Sequence, residues 1–119
     1  MKPIHFLLLG VVMLFLCNGA YARSPSGVYA GNLPGIGTDE FDFRSDGTIL
    51  RQLWYTDSTG QRALGHSQLL FWHSSWFSSK VYVSFQKDSE VYLAFEFDGD
   101  DLISKRWDQG FDGVRYRKQ

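Results

Sequence analysis

The chain has 119 residues, with 12 Lys and Arg set against 13 Asp and Glu. That near balance gives no support to nucleic acid or an anionic membrane as a partner. One cysteine, Cys17, excludes an internal disulfide framework, and the length fits a single domain.

The first stretch, MKPIHFLLLGVVMLFLCNGAYA, carries one cation, Lys2, then an apolar run from Phe6 to Cys17 and a small-residue close at Ala20-Tyr21-Ala22. This is the layout of a secretory signal peptide over 1–22, with cleavage after Ala22. The apolar run is shorter than the roughly 20 residues that cross a bilayer, so no membrane insertion is expected after cleavage. Lipid attachment at Cys17 is the rival reading. Leu14 fits a lipoprotein box, but Leu16 stands where that box has a small residue. The mature chain, 23–119, then holds all the acidic residues and lacks only Lys2 among the basic ones, for a net charge of −2. It is expected in the periplasm or outside the cell. With no disulfide it must stand on its core.

The mature chain lacks a sustained helical period and shows repeated two-residue alternation. Expected strands cover 27–31, 38–44, 48–56, 63–72, 79–87, 90–97, 102–107 and 112–118. Residues 23–26 and 32–37 read as irregular. Asp46-Gly47, DSTGQ (57–61), KDS (87–89) and DGDD (98–101) supply the turns. Strand 63–72 is interrupted by Gly65 and could continue as a helical turn over HSSWF. In KVYVSFQ and EVYLAFEF, alternation points Val81, Val83, Phe85, Val91, Leu93, Phe95 and Phe97 inward, and Tyr92 outward. The expected fold is all-β: a single small antiparallel meander closing as a barrel or sandwich.

GVYAG (27–31), FDFRSDGTI (41–49), FDGDDLIS (97–104) and VRYRK (114–118) resemble the opening strand, first hairpin, late hairpin and closing strand of small lipocalin-like β-meander domains of bacterial exported proteins. The resemblance implies a barrel or half-barrel open at one end, used in binding or envelope-stress roles. It carries no functional motif, so no residue's role follows from it.

Chemical motifs are sparse. Loss of Cys17 removes the only thiol, and no Gly-x-Ser-x-Gly elbow is present. His66 and His73 fall on opposite faces of a straight strand, which argues against a shared metal. Asp98, Asp100 and Asp101 read as a polar hairpin turn, not as the longer ordered ligand run of a calcium loop. No cofactor and no catalysis are expected.

The densest feature is LLFWHSSWFSSK (69–80). Leu69 and Phe71 are expected to pack inward, with Leu70 a further candidate, while Trp72 has the opposite parity. Trp76 and Phe77 follow a serine pair in a connection, where exposure is usual. Trp72, His73, Trp76 and Phe77 are therefore the candidate contact residues, since exposed aromatic side chains anchor binding surfaces. Two functions fit: a non-catalytic binding protein for an apolar ligand, glycan or protein partner, or an inhibitor or immunity protein against an envelope-acting hydrolase or toxin.

Overall fold

A computed structural model describes residues 23–75, 78–87, 89–107 and 112–119, with the backbone alone at Arg106 and Trp107. The expected signal peptide and the candidate residues Trp76 and Phe77 lie outside the described residues. The eight strands are β1 (Gly27–Leu33), β2 (Gly37–Phe43), β3 (Thr48–Thr56), β4 (Arg62–Ser74), β5 (Lys80–Ser84), β6 (Val91–Asp98), β7 (Asp101–Trp107) and β8 (Arg115–Lys118). Each pairs antiparallel with the next, and β8 returns to β1 to close a barrel. All eight expected strands are present, and closure is as a barrel. An eight-stranded antiparallel meander of this kind is compatible with a lipocalin-like fold.

Alternation builds the barrel. On β2, Asp39, Phe41 and Phe43 are buried while Glu40 and Asp42 lie at the surface. On β3, Ile49 and Arg51 face the same interior. The hairpin between these strands is fixed by Asp46, whose Oδ1 accepts both the Thr48 backbone N–H and its hydroxyl, at 3.0 and 2.6 Å. Gly47 takes the positive φ of 87° that this turn needs.

The lumen is filled by side chains. Phe41 meets Phe95 and Tyr116 edge to face, with centroids 5.1 and 5.3 Å apart, and Tyr29 meets Phe43 in the same way at 5.5 Å. Such pairs add about 0.5–1.5 kcal/mol to the burial of each ring. Ile49, Leu70, Val81, Val83, Leu93 and Leu102 complete the packing. Arg23 and Ser24 lie across one end of the barrel. The Arg23 guanidinium sits 4.1 Å above the Phe97 ring and donates to the Gly99 carbonyl, and Ser24 Oγ lies 3.3 Å from Ser74 Oγ.

Val81, Val83, Leu93 and Phe95 are buried as expected, and Phe97 packs half-buried against the core. Phe85 is corrected: β5 ends at Ser84, and the ring beyond it is 49% exposed. Val91 is only half-buried. Tyr92 is corrected too. Val83 pairs with Leu93 and Ser84 with Val91, so Tyr92 is the extra residue of a bulge, which turns it onto the core side. On β4 the expected parity is reversed, because Leu70 is buried and Trp72 packs on the core while Leu69 is exposed and Phe71 faces outward. The possible helical turn after residue 72 is instead strand as far as Ser74.

A charged pair lies within this apolar lumen. Asp39 is fully buried and accepts a bidentate contact from Arg51, Nε to Oδ1 at 2.9 Å and Nη2 to Oδ2 at 3.0 Å. The Tyr116 hydroxyl donates to Asp39 Oδ2 at 2.8 Å, and Arg51 Nη1 donates to the Tyr92 hydroxyl at 3.3 Å. Burial pulls the Arg51 pKa down, but the Asp39 carboxylate outweighs it and the net shift is upward. Burial, then the adjacent Asp39 charge, pushes the Tyr116 phenol far above its ordinary range, so it remains a donor. Gly31 makes room for this contact: a Cβ there would lie 2.9 Å from the Tyr116 ring.

Removing one member of a buried pair strands its partner's charge, at a cost of about 3–5 kcal/mol, whereas replacing both with apolar groups is often near neutral. Asp39→Ala is therefore expected to lose that much in urea unfolding, and Asp39→Ala with Arg51→Met to lose distinctly less.

Outside, the β6–β7 turn is clamped to β8. Arg115 contacts both Asp98 and Asp101, and Asp101 Oδ1 accepts the Lys118 backbone N–H at 3.1 Å. The Lys118 N–H and then Arg115 hold the Asp101 carboxyl below its ordinary pKa. A depressed folded pKa contributes stability that is present above the unfolded value of about 3.9 and is lost as pH falls through the folded value. Asp101→Asn is thus expected to melt below wild type at neutral pH, with the gap closing as pH drops below about 4.

Candidate functional site

The expected aromatic cluster maps to β4 and divides there. Trp72 faces the barrel, with its ring edge to face with Phe43 at 6.0 Å and its indole N–H donated to the Arg44 carbonyl at 2.9 Å. This polar handle ties the β2–β3 turn down onto β4. His73 is exposed and lies against Tyr82, the residue opposite it on β5, with centroids 5.3 Å apart. Phe71 shares the outward face of His73, because residues two apart on a strand point the same way.

Around these residues a cleft of about 470 Å³ crosses β4, lined by Asp46, Gly47, Phe71, Trp72, His73, Ser84, Lys87 and Ser89. The β2–β3 turn forms one bank and the β5–β6 turn the other. Register explains the meeting: Phe71 stands opposite Thr48 on one side and Ser84 on the other. Both turns therefore reach the same level of β4.

The charged groups sit on opposite banks. Hydrogen bonds from the Thr48 hydroxyl and then its N–H lower the Asp46 pKa, so this carboxylate is ionised at neutral pH. Lys87 stands exposed on the other bank. The two serine hydroxyls are committed to the turn itself, Ser84 Oγ donating to the Gln86 carbonyl at 2.8 Å and Ser89 Oγ at 2.7 Å. The cleft thus offers an aromatic floor, a fixed anion and an exposed cation. That combination suits recognition of an amphipathic surface.

Other sequence candidates resolve locally. His66 and His73 fall on opposite faces of β4. Among the described residues no three His, Cys, Asp or Glu are grouped to hold a metal. The acidic turn is answered by arginines: Asp98 and Asp101 by Arg115, and Asp100 by Arg23 at 3.7 Å.

The sequence reading missed Asp39, Arg51, Asp46 and Lys87. The first two had a signal, since each is in phase with the apolar residues of its own strand. The cleft pair had none, because two separate hairpins bring it together. No family model, no curated protein and no solved structure matches the chain.

Trp72→Ala is expected to cost about 2–4 kcal/mol in thermal or urea unfolding, through lost packing on Phe43. His73→Ala is expected to change stability by less than about 1 kcal/mol, since the ring is exposed. Melting both variants beside wild type checks the contrast.

Proposed function

We propose that the chain is an exported, non-catalytic binding protein of the bacterial envelope, of the lipocalin-like β-meander kind, whose partner docks outside the barrel in the cleft crossing β4. The signal-peptide layout of residues 1–22 supports export. The observation that carries the docking reading is the contrast between the two candidate places for a ligand. The described lumen is occupied by packed rings, aliphatic side chains and a buried ion pair. The outer cleft has an aromatic floor between Asp46 and Lys87.

That contrast turns the reading away from an apolar ligand held inside and towards a glycan or a protein segment held outside. A sugar ring or an apolar side chain would lie on Phe71, while hydroxyl or charged groups would meet the two banks. A protein partner here would also accommodate the inhibitor reading, in which the captured protein is an envelope hydrolase or toxin.

The test is capture from envelope extract with the purified protein as bait, beside titration with soluble cell-wall glycan fragments. Phe71→Ala with His73→Ala is expected to weaken the captured partner or bound glycan at least tenfold, about 1.4 kcal/mol, while leaving the barrel folded. A partner or glycan bound equally well by the double variant would place recognition elsewhere.

A further inference from the structure

Among the described residues β4 is the longest strand and the least covered. It pairs with β3 from Arg62 to Phe71, but β5 meets it only from Phe71 to Ser74. Arg62–Leu70 therefore forms a strand edge with no neighbour on its β5 side among the described residues. The Trp72 N–H donates towards β3, to the Gly47 carbonyl at 3.0 Å. Backbone groups alternate in direction along an antiparallel strand, so those of Ser67 and Leu69 point away from β3, towards the open edge.

Exposed edges are normally blunted by Lys, by Pro, by a bulge or by a covering element, and of these only a bulge, at Gly65, is present on this edge among the described residues. The segment ALGHSQLL (63–70) contains no Pro, no Lys and no acidic residue. It also presents two leucines to solvent, Leu64 at 46% and Leu69 at 54% exposure. Both face outward, because Gly65 is skipped in the ladder: Leu53 pairs with His66 and Trp54 with Leu64.

We infer that two copies of this chain associate edge to edge through β4, antiparallel, about a two-fold axis at Ser67. The pattern is self-complementary in this register. Ser67 would exchange both backbone hydrogen bonds with the second copy's Ser67. His66 would stand across from Gln68, both on the inner face. Past the skipped Gly65, Leu69 would meet the second copy's Leu64 on the outer face, and the reverse contact follows by symmetry. All four exposed leucines would be covered, in an isologous contact that closes on itself. Strand addition of this kind draws affinity from the main chain and register from alternate side chains. The association goes beyond the binding cleft and needs no ligand there.

Sedimentation velocity of the full chain over a concentration series tests it, with no other component added. Wild type is expected to shift from monomer to dimer with rising concentration. Leu69→Lys sets an exposed cation on the edge and is expected to raise the dissociation constant at least tenfold. Ser67→Pro removes the N–H at the axis, on the edge where proline is tolerated, and is expected to do the same. Both variants should keep the circular dichroism of the barrel. Leu64→Glu combined with Leu69→Lys sets opposite charges across the axis and is expected to recover dimer relative to Leu69→Lys alone. A wild type that stays monomeric at several hundred micromolar would overturn the inference. So would a dimer indifferent to Leu69→Lys, or a double variant no more dimeric than the single one.

Discussion

The Asp39–Arg51 pair holds the barrel to one arrangement, because nothing else in the lumen is so demanding of geometry. Aromatic and aliphatic side chains tolerate small slips against one another. A fully buried carboxylate does not, since each oxygen must keep its donors or bear the cost of desolvation. Asp39 lies on β2, Arg51 on β3, and Tyr116 on β8. One carboxylate therefore fixes the register of β2 on β3 and the seating of the last strand beside the first. In the native register the Arg51 guanidinium also lies 5.2 Å from the Phe41 ring; a one-residue slip would carry Asp39 to the outer face and leave Arg51 without its anion.

That constraint also bears on where the proposed partner would bind. The interior polar groups answer one another: Arg51 reaches Tyr92 as well as Asp39, and Tyr92 lies against the exposed ring of Phe85 at 4.2 Å. The lumen is therefore committed to holding the fold together. The proposed recognition would fall to the outer surface, where Phe71, His73 and Lys87 face away from the lumen. Phe71, His73 and Lys87 can be altered at little cost to stability, whereas Trp72 belongs to the barrel packing and Asp46, Gly47, Ser84 and Ser89 also hold their turns.

Much of the fold was legible because alternation is strong where one face is apolar and the other polar. EVYLAFEF and TDEFDF are of this type, and Leu93, Phe95, Phe41 and Phe43 lie in the core as their phase requires. LLFW is apolar on both faces, so local pattern cannot choose between Leu69 with Phe71 and Leu70 with Trp72. Pairing with Ile49 and Val83 makes that choice. The bulge at Tyr92 is likewise decided by the partner strand, as no residue type in VYLAF marks which position is skipped. Asp39 and Arg51 were in phase with their apolar neighbours, yet charge alone suggests solvent. Only the fact that each supplies what the other lacks makes the inward placement stable.

The closing contact also sets the order in which the molecule can be assembled. Tyr116 and Asp39 are 77 residues apart, and β8 is the last of the eight strands to leave the ribosome. Neighbouring hairpins can form early from local contacts. The carboxylate at the centre lacks its tyrosine until the chain has made its longest loop closure, and non-local pairing of this kind is intrinsically slow. Until then the first and last strands present open edges, and the interior holds a charge pair short of one donor. The last hydrogen bond of the buried cluster therefore waits for the far end of the chain, and the lumen is complete only when β8 is seated.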